Sequence, residues 1–551
     1  MSQFDYDVIV IGSGAGGLAA AVPLAQKGLK VLVCEQHKRA GGWTHSFNKQ
    51  GYRFSPGVHY IGSLQPGESL RKVYEGLGVS TDLAFCEINP DGYDHIYIGE
   101  ERFDYPKGRQ VLAERLKARF PAEARGIDGY LDTISKLVDG LHDLGHVKNP
   151  VDALQAAPSA TSILRWALRS GQQLVDHYIS DPVLKGFLLG QAGDHGMPPS
   201  QVSALMQASI TVHYFNGAYY PLGGASAIPT AFVNALQLAG GELRLRTRVE
   251  KIFIQDQRAV GVRLEDGTEL KARYVISNAD TGITFDRLIG RDLLSPKLRR
   301  KQEAIQYSTS ALSLFFATDM DLRAAGLDSG NNWYYDNADL ETLYQNGMGD
   351  HVLHTDIPEM MFLTCTTLKD PSKMHSGHHT CEAFAFVGYE PFARWADSKH
   401  GDRPGDYNAL KEDLAWRMIM GLEKRIPGLS KHIVFWDLGT PLTNQHYINA
   451  TDGNLYGIAK NIKQLGPLGF GTQTEFEGLL LCGASTESHG VAGVTSTGLA
   501  VARKILDCST DDLLTQNGPE LKIYPSEDPS KWPQDLQEII TRGKLMVSAN
   551  E

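Results

Sequence analysis

Residues near the start of the chain have the types and spacing that bind a dinucleotide. Gly12, Gly14 and Gly17 follow the G-x-G-x-x-G spacing, and an acid, Glu35, lies roughly 20 positions further on. Gly12 permits a tight turn, Gly14 lets the backbone approach a pyrophosphate, and Gly17 lets a helix pack on its strand. Because a carboxylate at the Glu35 position holds a ribose hydroxyl in such sites, the pattern predicts a dinucleotide site.

A strand, a helix and a second strand must position these residues. The apolar run Val8–Ile11 predicts a buried strand, and an alanine- and leucine-rich stretch ending at Gly28 predicts a helix. A second apolar strand, Val31–Val33, leads directly to the acid. The helix N-terminus then offers free N–H groups and a partial positive charge to phosphates. Pro23 lies inside this helix and is expected to kink it or remove a hydrogen bond.

Composition places the chain among globular proteins and narrows its partners. The 551 residues are 42% hydrophobic and 21% charged, enough for two or more cores. A net charge of −11 argues against a nucleic-acid partner, although a local basic face could still contact a membrane. The six cysteines form no C-x-x-C pair, and neither a signal peptide nor a spanning apolar run is evident. We therefore expect buried reduced thiols in a cytoplasmic protein, with peripheral membrane contact left open.

The elements along the chain predict an α/β fold with a discontinuous nucleotide-binding domain. A glycine turn and helix recur in Tyr220–Ile254, a hairpin is expected at Asp266–Gly267, and a last buried strand runs into Gly483, followed by a helix from near Thr495. Long apolar strands between these parts indicate an interleaved α+β substrate domain. The predicted divisions are 1–70, 220–289 and 466–508 for the nucleotide domain, 71–219 for a helical cap, 290–465 for a substrate-domain sheet, and 509–551 for a tail.

Six segments resemble a known flavoprotein family: Gln36–Gly62, Tyr220–Pro229, Thr247–Ile252, Val275–Ala279, Gly439–Gly457 and Cys482–Gly498. They are similar to FAD-dependent amine-oxidase-like flavoproteins, and within them to carotenoid desaturases, carotenoid isomerases and retinol saturases. The likeness is strongest to the retinol saturases and is spread from Tyr6 to Leu506. It implies a Rossmann-type FAD-binding domain and an apolar polyene lipid as substrate.

The resemblance also implies which residues bind FAD, without a covalent link. The cofactor-binding residues carried over are Gly12, Ser13, Gly14, Ala15, Gly16, Gly17, Glu35, Gln36, Gly41, Gly42, Trp43, Thr44, Val249, Gly483, Ala484, Val494 and Thr495. Val249 would meet the adenine through its backbone, and the last helix would aim its positive end at the flavin. Trp43 is a departure, because many amine-oxidase relatives have a phosphate-binding arginine just after the glycine pair.

The implied reaction needs an apolar tunnel and a proton donor. Saturating a double bond takes a hydride to one carbon and a proton to its neighbour. The candidate catalytic residues are His59 and Tyr60, which follow the Pro56–Gly57 turn, and then His45; each could equally be structural. No metal site is expected, since a turn explains the HSGHH piece at His375–His379.

Three functions remain open on the sequence alone. The first is saturation of a retinoid or carotenoid-like polyene by FAD. The second keeps the flavin but isomerises or desaturates a carotenoid or polyunsaturated fatty acid. The third is a non-enzymatic chaperone that binds prenyl lipids on the same fold. The electron donor is also open, because no second glycine fingerprint follows another strand.

Overall fold

The computed structural model describes residues 4–145 and 160–545. Its strands are β1 (Tyr6–Ile11), β2 (Val31–Cys34), β3 (Phe47–Lys49), β4 (Tyr52–Phe54), β5 (Ala84–Glu87), β6 (Asp94–Ile98), β7 (Glu101–Tyr105), β8 (Tyr219–Pro221), β9 (Glu242–Arg244), β10 (Val249–Gln255), β11 (Arg258–Leu264), β12 (Glu269–Ser277), β13 (Ser310–Thr318), β14 (Asn331–Tyr335), β15 (Met360–Cys365), β16 (His379–Val387), β17 (Ile433–Gly439), β18 (Leu479–Leu481) and β19 (Lys522–Pro525). Its α-helices are α1 (Ala15–Gln26), α2 (Ser69–Gly76), α3 (Arg109–Arg119), α4 (Ala124–Gly145), α5 (160–166), α6 (Gly171–Asp176), α7 (Pro182–Leu189), α8 (Ala204–His213), α9 (Ala227–Leu238), α10 (Pro296–Glu303), α11 (Leu340–Met348), α12 (Thr366–Lys369), α13 (Gly405–Arg425), α14 (Pro441–Ile448), α15 (Gly490–Leu506), α16 (Thr510–Leu513) and α17 (Gln534–Leu545).

The first sheet is the predicted Rossmann-type sheet. Five strands run parallel in the order β18-β12-β1-β2-β9, and β12 also pairs with the antiparallel β11–β10 hairpin. Its central strands are continuous apolar runs because helices and other elements cover both faces. At the carboxyl edge, Gly12 follows β1, Glu35 follows β2 and Asn278 follows β12. This is the edge where open α/β sheets bind ligands.

Helix α1 packs against α15 and α9 over this sheet. A side chain at Gly498 would lie 2.2 Å from the backbone oxygen of Gly16, so α1 and α15 can approach only with glycine there. Helix α1 continues through Pro23, which has no N–H and therefore leaves one hydrogen bond of the helix unmade, as expected. The last helix of the domain begins at Gly490, so the predicted start near Thr495 was wrong by about one turn.

The second sheet supplies the other wall of the site. Its order is β17-β13-β16-β15-β14-β6-β7, antiparallel except for the parallel pair β14–β6. Strands β6 and β7 come from segment 71–219, so the prediction of a helical cap there missed part of the sheet. Both strands are five residues long and form a local hairpin with each other, and only β6 joins the rest of the sheet, by pairing with β14 more than 200 positions away. Their place in this sheet therefore leaves little local signal. The domain boundaries themselves stay a prediction.

The C-terminal segment is anchored rather than loosely wrapped. Strand β19 pairs in parallel with β5, whose other neighbour is β8. Trp532 is buried and donates its indole N–H to the backbone oxygen of Pro525 at 2.7 Å. All six cysteines are free thiols and five are buried, which confirms the prediction made from their sequence context. In the described part of the chain, none of the helices has the length and apolar content to cross a bilayer.

Candidate active site

A cavity of about 630 Å³ lies between the carboxyl edge of the first sheet and the second sheet. Most of the sequence-predicted cofactor residues line it: Gly12, Gly14, Ala15, Gly16, Glu35, Gln36, Gly41, Gly42, Trp43, Thr44, Val249, Gly483, Ala484 and Val494. His59 and Tyr60 line it as well. Ser13, Gly17, Thr495 and His45 do not line it.

The turn between β1 and α1 forms a cradle that only glycines can build. Gly12 has φ of +93°, and a side chain at Gly14 would lie 2.7 Å from Nδ2 of Asn278. Gly17 brings α1 against its strand, because a Cβ there would be 2.3 Å from the backbone oxygen of Gly12. No side chain caps the N-terminus of α1 and no acid lies in its first turn. The turn therefore fits a pyrophosphate, whose charge the free N–H groups would meet.

Three hydrogen bonds fix the carboxylate of Glu35 beside this turn. Its Oε2 accepts hydrogen bonds from the backbone N–H of Ser13 at 3.0 Å and from its hydroxyl at 2.6 Å, while Oε1 accepts from the N–H of His37 at 2.8 Å. Ser13 is fully buried and its Oγ also accepts from the N–H of Gly41 at 3.1 Å. Ser13 thus positions the acid and the second glycine turn, and it does not itself face the cavity.

The Gly41–Thr44 turn lies directly across the cradle. Gly41 and Gly42 have φ of +123° and +54°, conformations that favour glycine. A Cβ on Gly42 would lie 3.4 Å from Cα of Gly14, and Thr44 closes the turn by donating to the oxygen of Gly41 at 2.7 Å. Trp43 faces the same cavity in the place where an arginine was expected from the resemblance. Its indole can offer a flat apolar surface there but no charge.

Asn278 joins the cradle to the last part of the nucleotide domain. Side chains at Gly14, Gly16 or Gly483 would each lie within 2.8 Å of its amide atoms. This residue follows β12 at the carboxyl edge and is not among the cofactor-binding residues predicted from the sequence. The signal was present in the Val275–Ala279 segment, which resembles the same flavoprotein family.

The N-terminus of α15 opens onto the cavity. Gly490, Val491 and Val494 line it, and no side chain caps the helix end. His489 precedes the helix, and burial lowers its pKa to about 3, so its imidazole is neutral. Thr495 is buried away from the cavity. The positive end of a helix without acids in its first turn suits a ligand that carries negative charge.

His45 is the catalytic candidate that the structure does not bring to the cavity. Its imidazole is buried and Nδ1 lies 2.6 Å from the backbone oxygen of Gly42. Burial lowers its pKa. This contact stabilises the Gly41–Thr44 turn, which is a structural position rather than one that reaches a ligand.

His59 lines the cavity against a buried acid. Its Nε2 lies 2.9 Å from Oε2 of Glu382, which is fully buried, although the two groups are not aligned as a hydrogen bond. The other carboxylate oxygen accepts from the backbone N–H of Ser55 at 2.6 Å. The imidazole stands edge-on to Phe384 and Phe362, with ring centroids 4.8 and 5.5 Å apart. Its position is therefore fixed by one charge and two aromatic rings.

Tyr60 belongs to a buried polar network that no local sequence pattern reveals. Its Oη lies 2.8 Å from Oδ2 of Asp194 and 3.2 Å from Oδ2 of Asp94, and its ring stacks on Tyr214 at 4.4 Å. Burial, and then the charge of Asp94, raises the pKa of Asp194 to about 8. Asp194 lines the cavity, so its carboxyl group is accessible to a ligand that binds there.

The network continues to a buried lysine. Asn331 donates to Oδ1 of Asp94 at 3.0 Å and accepts from Nζ of Lys369 at 2.5 Å, while the same Nζ donates to the backbone oxygen of His59 at 2.6 Å. Burial lowers the pKa of Lys369 to about 7. Two acids, one phenol and one amine thus form one buried network, of which Tyr60 and Asp194 line the cavity. Titratable groups with shifted pKa values that meet beside a cavity are typical of a functional site.

The second sheet contributes an aromatic wall. The apolar side chains that face the cavity there are Trp333, Phe362, Phe384, Phe386 and Leu455. Trp333 and Phe362 are in contact, with centroids 4.5 Å apart. Glu382, Phe384 and Phe386 alternate along β16 and so share one face. That alternation placed an acid on an apolar face, and it was the sequence signal that could have found Glu382.

The described residues do not meet the requirements of a metal site. Among residues 4–145 and 160–545, no three His, Cys, Asp or Glu side chains are arranged to hold a metal ion. His378 of the HSGHH piece instead has its Nδ1 2.7 Å from the hydroxyl of Tyr52.

Comparison with known proteins decides the family. Residues 15–397 match the family described as flavin-containing amine oxidoreductases. The chain belongs to this family. The all-trans-retinol 13,14-reductase of Danio rerio is 32% identical over 528 residues, covering 91% of this chain and 86% of the relative. The chloroplastic prolycopene isomerase of Arabidopsis thaliana is 28% identical over 524 residues, covering 91% of this chain and 82% of the relative.

The solved structures agree on the fold. An oxidoreductase from Methanosarcina mazei superposes with a TM-score of 0.60 at 17% identity, covering 90% of this chain and 99% of the other. Membership of the flavin-containing amine oxidoreductases makes this chain an enzyme with FAD as its cofactor. The solved structure shares its α/β fold. The glycine cradle, the poised Glu35 and the two uncapped helix ends fit that cofactor. The assignment of individual residues to parts of FAD stays a prediction.

Proposed function

We propose that this chain saturates a carbon–carbon double bond of an apolar polyene lipid of the retinoid or carotenoid kind. The observation that carries the proposal is that one cavity joins the glycine cradle to the aromatic wall. The reduced flavin supplies a hydride when bound. The residues of the chain then have to hold an apolar substrate, exclude water and provide a proton.

The aromatic wall suits a flat, uncharged chain. Trp333, Phe362 and Phe384 offer ring faces and edges, and all three are buried or half-buried apart from the cavity surface. Apolar ligand sites are lined in this way, with a few polar groups that fix orientation. His59, Tyr60 and Asp194 are polar groups of that kind here, and they lie on the same cavity. A proton source and an apolar surface therefore face each other.

The relatives support the same substrate class. The Danio rerio relative is named for reduction of all-trans-retinol, and at 32% identity it covers nearly the whole of this chain. The Arabidopsis thaliana relative is named for isomerisation of prolycopene, which favours a second candidate, redox-neutral isomerisation of a polyene at the same site. Both candidates need the flavin and the apolar cavity, so they differ in outcome rather than in architecture. The intact cradle argues against the lipid chaperone.

The mass of the product separates these candidates. The purified enzyme is loaded with FAD, reduced by light without oxygen, and mixed with retinol or a carotenoid. Saturation predicts reoxidation of the flavin and a product heavier by two hydrogens, whereas isomerisation predicts an unchanged mass. Desaturation by the oxidised enzyme would give a product lighter by two hydrogens. Failure of every polyene to react would refute the proposal.

We also propose that the enzyme contacts membranes peripherally through the helical region. Leu164 and Leu168 are 75% and 73% exposed, with Arg165 and Arg169 beside them. Trp166 and Phe187 of the same region are buried, and Lys185 is paired with Asp176 at 2.6 Å, so part of this stretch packs inward. Sedimentation with anionic lipid vesicles tests the contact, and replacing both leucines by glutamate should abolish it. Unchanged sedimentation of that variant would contradict it.

A further inference from the structure

Two carboxyl groups approach the same phenol hydroxyl at the cavity wall. Oη of Tyr60 lies 2.8 Å from Asp194 and 3.2 Å from Asp94, measured to Oδ2 in each case. A phenol has one proton, so it can donate to one carboxylate at a time. The second contact becomes a hydrogen bond only if the other carboxyl carries a proton itself. Both contacts are therefore hydrogen bonds only when one of the two carboxyl groups is protonated and the other is ionised.

The surroundings decide which acid carries that proton. Asp94 is fully buried and accepts from Nε2 of Gln191 at 2.8 Å and from Nδ2 of Asn331 at 3.0 Å. Donors of this kind stabilise a carboxylate. Asp194 is opposed by the neighbouring charge of Asp94, and its accessible surface faces the cavity. The proton therefore belongs on Asp194.

We propose that Asp194 is the catalytic acid that protonates the substrate, an inference that rests on the proposed saturation. Its O–H bond breaks as a C–H bond forms at the carbon next to the one that receives the hydride and its electron pair from reduced flavin. Asp194 is left as a carboxylate, to which the hydroxyl of Tyr60 donates. A proton from water entering the cavity then restores the acid. Tyr60, Asp94 and Lys369 are positioning residues, because they act through Asp194.

The two predicted candidates are less suited to this step. The Nε2 atom of His59 faces the buried carboxylate of Glu382 at 2.9 Å. The hydroxyl of Tyr60 is engaged by two acids, and burial raises its pKa well above the ordinary value, so it is a poor acid near neutral pH. An acid with a pKa near the working pH is the better donor. Asp194 meets that condition and lies on the cavity.

Burial first, and then charges on neighbouring elements, determine the pKa of Asp194. The groups around it are Tyr60, Asp94, Tyr214, Lys369, Tyr456 and His489. Asp94 disfavours the ionised form and Lys369 favours it. Removing the charge of Asp94 should therefore lower the pKa of Asp194, and removing the charge of Lys369 should raise it. A merely structural role would not produce these opposite shifts.

Infrared spectroscopy of the FAD-loaded enzyme tests the proton without using turnover. A protonated carboxyl gives a C=O band that shifts in heavy water and disappears as the group ionises. We expect such a band in the wild type, its loss in Asp194→Asn, and its retention in Asp132→Asn, which changes an exposed acid on α4. Asp94→Asn should lower the pH at which the band disappears, and Lys369→Met should raise it.

Single-turnover saturation in the same variants tests the catalytic role. Asp194→Asn should keep its flavin but slow saturation by roughly 100-fold or more, the usual contribution of a general acid. Asp194→Glu should restore part of the rate, and Asp132→Asn should match the wild type. A band that survives Asp194→Asn, or a wild-type rate in that variant, would overturn the inference. If the wild type saturates no polyene, the proposed function and the donor role fail together, whereas loss of the band in Asp194→Asn would still support a protonated Asp194.

Discussion

His59 and Glu382 meet inside the protein, with Nε2 and Oε2 2.9 Å apart and the carboxylate fully buried. The two residues lie on a turn of the nucleotide domain and on β16 of the second sheet. Their contact therefore ties the two halves of the cavity together. Removing the partner of a buried acid lowers the free energy of unfolding, so the strength of this contact can be measured by substitution.

Replacing His59 by alanine should lower the free energy of unfolding by roughly 1–3 kcal/mol, because the buried Oε2 of Glu382 loses its close polar contact with Nε2. Glu382→Gln removes the charge but keeps an acceptor for the N–H of Ser55. The double variant should therefore lose less than the sum of the single changes. Urea unfolding of the FAD-loaded protein measures all four states. Additive losses would show that the contact is energetically unimportant.

Replacing Gly14 by valine should remove the flavin. A side chain there would lie 2.7 Å from Nδ2 of Asn278, inside the cradle. The ratio of flavin to protein absorbance after purification measures the loss. Gly405→Ala is the matched control, because a Cβ at Gly405 meets nothing within 4 Å. A full flavin complement in the valine variant would contradict the assignment of the cradle.

Replacing Glu35 by glutamine should weaken FAD binding by about tenfold, the usual loss when a charged acceptor becomes neutral. Titration of the apoprotein with FAD, followed by flavin fluorescence, gives the dissociation constant. Glu242→Gln is the control, since this acid on the neighbouring strand β9 pairs with Arg244 at 2.6 Å and does not line the cavity. Equal affinities in the two variants would refute the role of Glu35.

Asp194→Asn should stabilise the protein at alkaline pH. Burial raises the pKa of Asp194 from 3.8 to about 8 in the folded state, so between these values the folded protein binds one proton more than the unfolded chain. The free energy of unfolding contributed by this group therefore falls as pH rises through that window. The variant lacks this loss, and its advantage should grow from about pH 4 to about pH 8 and then stay constant.

Melting temperatures of the wild type and Asp194→Asn across this pH range measure the difference. Asp132→Asn, at an exposed position on α4, should give a curve parallel to the wild type. A parallel curve for Asp194→Asn as well would mean that the carboxyl titrates alike in the folded and unfolded chains. The inference about its proton would then be wrong.

The sequence by itself determined the nucleotide half of the enzyme. The glycines of the first turn, the apolar runs on either side and Glu35 act within about thirty residues, and each has a local reason: backbone freedom, burial or charge. The β11–β12 hairpin at Asp266–Gly267 was predictable for the same reason, and the structure confirms it. The late helix was predicted but misplaced by a turn, because Gly490 left no cap signal to mark its start.

Only the tertiary structure decided which polar groups come together beside the cavity. Asp94, Asp194 and Lys369 come from three distant segments, and no local spacing relates them. His45 and His59 look alike in sequence, yet one supports a backbone turn and the other lines the cavity. Strand pairing between residues hundreds of positions apart sets these distances, and burial then sets the charges. Neither property is local, so neither could be read from the order of residues.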